Sequence, residues 1–244
     1  MKKLGLFTNF QFDDSLYRTY QDGINSIIDK RTYTGKELTI ELVNIMPQGE
    51  LFASANPVVN TSLFESCFRS SLEFGANVQH CDVIALAVHD TYLHSIAEEV
   101  YLEHRDEYPD AQYISLAQCA VAACNRHKRI TRPGMLCVNN VEHDLYTLNC
   151  FAESGYQLVN VFEPDLITEL NSRAVMVLGQ NPDVEELRFI CSTVEAAAKV
   201  SNINGLLSVG FLELCQVLNQ GGVRFPVISL VEEHINAIAK AILS

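Results

Sequence analysis

Apolar residues fall in short continuous runs, separated by longer stretches in which they recur every three or four positions. Leu4 to Phe7 is one such run, and Asp82 to Val88, Met135 to Asn139, Gln157 to Phe162, Leu206 to Gly210 and Pro226 to Leu230 are others. Runs this short, with β-branched and aliphatic residues throughout, predict strands buried on both faces. Glu37 to Asn44 alternates Leu38, Ile40 and Leu42 and predicts a further strand. Between the runs, Ser15 to Lys30 carries Leu16, Tyr20, Ile24, Ile27 and Ile28 at helical spacing, with Asp13 or Asp14 as its cap. A helix opened by Asn60-Thr61 passes Leu63, Cys67, Ser71 and Phe74 and is expected to close at Gly75. Ser95 to His104 predicts an acidic helix, and Asp144 to Ser154 one with Leu145, Leu148 and Phe151 on a single face, stopping at Gly155. Asp165 to Leu178, Asp183 to Val200 and Glu232 to Leu243 complete the helical stretches.

This alternation runs through two rounds of the same layout, with Thr8-Asn9 after the first strand of one and Asn139-Asn140 after the first strand of the other. The expected fold class is α/β, with two similar lobes, each a parallel sheet flanked by helices, and a ligand cleft between the lobes. Residues 1–125 with 220–244 are expected to form the first lobe and 126–219 the second. The 244 residues suffice for two lobes, of about 100–120 residues each.

Composition narrows the function. A formal charge of −13 argues against nucleic acid, since phosphate contacts need clustered Lys and Arg. The one dense basic cluster, Arg126-His127-Lys128-Arg129 with Arg132 nearby, reads as a solvated face. The opening apolar run stops at Thr8-Asn9, too short for a signal peptide, and no run has the roughly 18 apolar residues that span a bilayer. A cytoplasmic protein without membrane partners is expected. The eight cysteines contain no Cys-x-x-Cys pair, so buried reduced thiols are expected rather than a disulfide framework or a zinc site.

Near the C-terminus, Leu206-Leu207-Ser208-Val209-Gly210-Phe211-Leu212-Glu213-Leu214 is followed by Pro226-Val227-Ile228 and His234. This resembles the closing signature of the aspartate/glutamate racemase superfamily, where a Gly-Cys-Thr-Glu turn carries one of two catalytic thiols. Leu4-Gly5-Leu6-Phe7, Ser15-Leu16-Tyr17-Arg18 and Ile24-Asn25 resemble the opening strand and helix of its aspartate racemase branch. Gly134-Met135-Leu136, Tyr146 and Gly155-Tyr156 resemble the elements that open its second lobe. The resemblance spans nearly the whole chain and departs from the family at the chemistry. Phe211 and Leu212 stand where cysteine and threonine are usual, and Thr8-Asn9 replaces a Gly-Gly. The family's first motif, Cys-Asn-Thr-x-His, corresponds to Val88-His89-Asp90-Thr91-Tyr92-Leu93-His94. Counting back from His94 puts Asp90 at the cysteine; matching Asn-Thr to Asp90-Thr91 puts His89 there. Neither alignment leaves a thiol.

The resemblance implies a cofactor-independent isomerase-like homodimer that binds an amino acid or small carboxylic acid. Moving a proton at an α-carbon from one face to the other needs an acid/base group on each side. The candidate acid/base residues are His89, Asp90 and Glu213; an alternative for Asp90 is a simple helix cap, and for Glu213 a first-turn charge favourable with the helix dipole. Asn9, Thr91, Asn139 and Asn140, at strand ends, are candidates for gripping a ligand carboxylate, with Phe211 filling ligand space. His94 is expected at the surface or behind the site, Cys215 in a helix core, and His234 in either a structural or a functional role. No metal site is expected. A silent ligand-binding or partner protein, or a one-base lyase or decarboxylase of this fold, is the alternative.

Overall fold

A computed structural model describes residues 2–8, 14–31, 40–44, 61–88, 90–137, 144–179 and 184–244. Asn9, His89, Asn139 and Asn140 lie outside the described residues, as do Asp13 and residues 37–39 of the second expected strand. The chain divides into two compact units. One comprises residues 1–88, 93–115 and 234–244, and the other 89–92 and 116–233. The expected boundaries, 1–125 with 220–244 and 126–219, put residues 90–92, 116–125 and 220–233 in the first lobe; in the structure they fall in the second unit.

In the first unit, β1 (Leu4–Thr8) leads to α1 (Asp14–Arg31), β2 (Ile40–Asn44), α2 (Thr61–Glu73), β3 (Val83–Ala87), α3 (Thr91–His104) and β4 (Gln112–Tyr113). The strands form a parallel sheet in the order β2-β1-β3-β4. β1 and β3 are buried along their whole length, as a sheet covered on both faces requires. Leu16, Tyr20, Ile24 and Ile28, four residues apart on α1, are all buried.

The second unit continues with α4 (Leu116–Arg126), β5 (Pro133–Leu136), α5 (Leu145–Glu153), β6 (Val159–Asn160), α6 (Pro164–Gly179), α7 (Val184–Val200), β7 (Gly205–Ser208), α8 (Leu212–Gly221) and β8 (Val227–Ser229). Its parallel order, β6-β5-β7-β8, is the first sheet's order repeated. Strand alternation sorts its side chains onto two faces. Met135 and Leu207 join Ala120, Cys124 and Phe151 on the side of α4 and α5. Leu136 and Leu206 join Ile167, Ile190, Val194 and Leu214 on the side of α6, α7 and α8. The last helix, α9 (Leu230–Leu243), carries residues 234–244 back to the first unit, where Ile235 lies against Gly23 of α1.

Three expectations change in detail. The strand expected over 157–162 reduces to β6, with two residues in the ladder. Leu145 is 69% exposed, so the buried face of α5 rests on Thr147 and Phe151 instead. Gly75 does not end its helix: a π-helical turn continues from Phe74 to Val78. That glycine serves close packing, because a Cβ there would sit 2.8 Å from the ring of buried Phe7. Among the described residues no helix is long and apolar enough to cross a membrane.

The Gly75 contact sets two effects against each other. Replacing a helical glycine by alanine gains up to about 1 kcal/mol in propensity, whereas forcing an extra methyl into a filled core costs about 1–3 kcal/mol. Phe7 is fully buried and stacked edge-on against Phe68 at 5.7 Å, so the ring has little room to yield. Gly75→Ala is therefore expected to destabilise the protein by on the order of 1 kcal/mol. A urea midpoint equal to or above that of the wild type would contradict the packing argument.

Candidate active site

Both central strands hand the chain to a helix in the same number of steps. β3 ends at Ala87, paired with Thr8, and α3 starts at Thr91. β7 ends at Ser208, paired with Leu136, and α8 starts at Leu212. Asp90 and Phe211 thus occupy equivalent places, each the residue immediately before a helix at a strand's carboxyl end.

The two residues do different things there. Asp90 caps its helix: the Tyr92 amide donates to Asp90 Oδ1 at 2.9 Å, satisfying one of the backbone donors that a helix start leaves over. Phe211 has no cap to offer and makes no side-chain cap bond. The acceptor comes from a neighbouring helix instead, as Asn171 Oδ1 of α6 receives the Leu214 amide at 3.2 Å. Nothing in the spacing of the sequence pairs Asn171 with Leu214. Gly210 precedes Phe211 at φ 88°, a backbone state that disfavours any residue with a Cβ.

Phe211 packs on the apolar side of its exit. Its side chain is 7% exposed and belongs to the apolar cluster that includes Leu136, Ile167 and Leu214. A benzyl group dropped into that core is stabilised by burial, which for a large apolar side chain is worth about 1.5–3 kcal/mol. Glu213 sits half-buried in the first turn of α8, where its charge is favourable with the helix dipole. Cys215 faces the same core, as expected, and burial pushes its thiol up to about 11 while the adjacent Ser208 hydroxyl opposes the rise. Burial also pushes Cys124 to about 11 and raises Cys67 and Cys191. None of the eight cysteines is in a disulfide.

Beyond β3, α3 buries a polar stripe. Thr91, His94, Ser95 and Glu98 are each 5% exposed or less and follow one another at helical spacing. Among the described residues the buried Thr91 hydroxyl has no hydrogen-bond partner, and Glu98 accepts a hydrogen bond from Ser115. Of the two places expected for His94, the surface or behind the site, the surface is excluded, and Glu98 of the acidic helix is buried. His94 is 4% exposed and its Nε2 bonds the Val88 carbonyl at 3.1 Å. The pattern was legible as spacing, but polar residues at helical intervals read by default as a wet face.

His234 of α9 is fully buried. Its Nε2 lies 2.8 Å from the Ile114 carbonyl and its Nδ1 2.8 Å from the Tyr20 hydroxyl. A carbonyl only accepts, so Nε2 carries the proton and Tyr20 donates to Nδ1. Burial lowers the imidazole to about 4, against the smaller opposing pull of the Ile114 carbonyl. His234 is a structural member of the core. The basic cluster at 126–129 is exposed, as expected, with Arg126 paired to Glu233. Among the described residues, no three His, Cys, Asp or Glu side chains are grouped to hold a metal ion.

No protein-family model and no curated protein matches the sequence. Solved structures do. An aspartate racemase homologue from Pyrococcus horikoshii OT3 is similar at 15% identity and a TM-score of 0.71, covering 100% of both chains. A putative Asp/Glu racemase from Yersinia pestis is similar at 16% identity and a TM-score of 0.69, again over 100% of both chains. The maleate isomerase Iso from Pseudomonas putida S16 is similar at 10% identity and a TM-score of 0.55, over 98% of this chain and 92% of its own. The likeness is one of fold: two parallel sheets flanked by helices, in the architecture these proteins share.

Two measurements follow from the buried groups. His234 titrates near 6.5 when unfolded and near 4 when folded, so the unfolded chain binds the extra proton between those values. Its contribution is complete above pH 6.5 and is lost as pH falls toward 4, by on the order of 3 kcal/mol. Urea unfolding of wild type and His234→Gln across pH 4 to 7 should show the variant's stability falling less steeply; parallel curves would refute the assignment. Native alkylation should label Cys67 and Cys150, the two half-buried thiols, well before Cys124 and Cys215. Fast labelling of Cys215 would mean its thiol is accessible and reactive after all.

Proposed function

We propose that this chain is an aspartate/glutamate racemase-like protein that binds a small amino acid or carboxylic acid and exchanges its α-proton from one side only. The observation that carries the reading is the pair of equivalent strand exits, one ending in Asp90 and the other in Phe211. In the family it resembles, a thiol stands at each of these exits. Here one exit retains a group that can bear a proton, with His89 as its neighbour, and the other carries a hydrocarbon ring. Thr91 supports a carboxylate-binding role, since a buried hydroxyl without a partner at a helix start suits an anionic ligand oxygen. Asn9, Asn139 and Asn140 complete the proposed ligand-gripping set, and Glu213 is the proposed partner of a ligand amine. No cofactor is required by this chemistry.

In the proposed step, the base on the first exit takes the α-proton and leaves the electron pair as a carbanion conjugated with the carboxyl group. Solvent exchanges the proton on the base, which returns it to the face it came from. Inversion requires a second donor on the opposite face, and Phe211 has no proton to give. Each acid/base group is worth about 10²–10⁴-fold in rate, so losing one removes efficient racemisation. A second reading, a ligand-binding protein without catalysis, is favoured by the capping bond itself, because Asp90 already accepts from Tyr92.

Thermal shifts with D- and L-amino acids and small dicarboxylates identify the ligand, because a ligand specific to the folded state raises its stability by mass action. Deuterium uptake at the α-carbon, measured beside optical rotation, then separates the readings. Uptake without inversion is expected. Uptake in no ligand that binds would favour the silent role, and efficient inversion of aspartate or glutamate would defeat the one-sided mechanism.

A further inference from the structure

Val88 is the first residue beyond β3, and the ladder with β1 stops one residue earlier, at Thr8 and Ala87. The residue is buried, so an unmet carbonyl here would carry a desolvation penalty. His94, in the first turns of α3, reaches back across the exit and meets that carbonyl with Nε2 at 3.1 Å. Because the carbonyl only accepts, Nε2 bears the proton. Asp90 lies inside the loop this bond closes, and its own bond to the Tyr92 amide runs across the same turn.

The His94 ring is itself held. His234 packs against it with ring centroids 5.5 Å apart and planes at 80°. His234 is fixed at both nitrogens, by Tyr20 and by the Ile114 carbonyl. Ile114 is the first residue beyond β4, so the two imidazoles receive the carbonyls just past the ends of two adjacent strands. Among the described residues, the exit at Phe211 has no imidazole at the equivalent place. Counting from Phe211 as from Asp90, that place holds Cys215, whose thiol lies beside the Ser208 hydroxyl.

We propose that His94 is a positioning residue: its bond to the Val88 carbonyl, backed by His234, holds the turn that presents Asp90 and Thr91. This rests on the reading of that turn as the site of proton exchange. His94 need not touch the ligand. The packing explains why an imidazole is used: a flat ring with one outward donor fits edge-on against a second ring and still reaches a carbonyl six residues back.

The test compares wild type, His94→Leu and His94→Gln, the last retaining a side-chain donor. Amide hydrogen exchange is followed by mass spectrometry over residues 86–93 and, as an internal control, 205–215. His94→Leu should accelerate exchange over 86–93 by about tenfold or more and leave 205–215 unchanged, while His94→Gln stays near the wild type. With a ligand that the wild type exchanges, His94→Leu should lower the exchange kcat more than it changes KM, with partial rescue by His94→Gln. Nitrogen-15 spectra of the wild type, which need no variant to fold, should show His94 as the Nε2–H tautomer. Unchanged exchange over 86–93, acceleration shared by 205–215, or an Nδ1–H tautomer would overturn the brace. A wild type that binds and exchanges nothing would instead overturn the functional reading, leaving the hydrogen-exchange result to judge the brace alone.

Discussion

A parallel strand buried on both faces must give its chain to a helix at its carboxyl end, and the backbone groups at that hand-over have to be satisfied away from water. In this protein both central strands, β3 and β7, make the hand-over in three residues. Each exit combines unpaired strand carbonyls with the leftover amides of a helix start, so it needs acceptors, donors or a ligand. The requirement is the same at both exits. The residues that meet it are not.

At the first exit the solution is polar and local. Asp90 caps α3, His94 takes the Val88 carbonyl, and a buried set of Tyr20, His234, Glu98 and Ser115 fills the space behind. Such networks are high-stakes, since each member left unsatisfied is penalised in a low-dielectric interior. At the second exit the solution is apolar and remote. Phe211 sinks into the core beside Leu214, and the cap it does not provide comes from Asn171 on another helix. The same spacing from strand to helix is thus kept with a carboxylate at one exit and a hydrocarbon ring at the other.

The likeness to solved structures is a likeness of fold. The strand order repeats between the sheets and the architecture matches racemase-fold structures over the whole chain at 15–16% identity. Fold of this kind depends on burial pattern and chain connectivity, which tolerate wide substitution as long as apolar volume is kept. Proton transfer depends on single atoms at two positions, which do not tolerate it. Phe211 supplies hydrophobic burial and has no exchangeable side-chain proton.

Much of the fold was already determined by the sequence. The continuous runs at Leu4 to Phe7, Asp82 to Val88 and Leu206 to Gly210 became the central strands, and the four-residue spacing of Leu16, Tyr20, Ile24 and Ile28 became the buried face of α1. These follow from periodicity, which is local and survives without knowledge of partners. What only the tertiary structure decided was where side chains with two plausible fates would go. His94 and Glu98 have helical spacing that suits solvent, and they were buried because Ser115 and the Val88 carbonyl, distant in sequence or behind in the chain, offered partners. Phe211 was drawn into the core by α6 and α8, and Asn171 became a cap across 43 residues. Gly75 looked like a helix stop and proved to be room for a phenyl ring. Each outcome turns on a contact between distant segments, and a pattern read along one chain carries no distance between them.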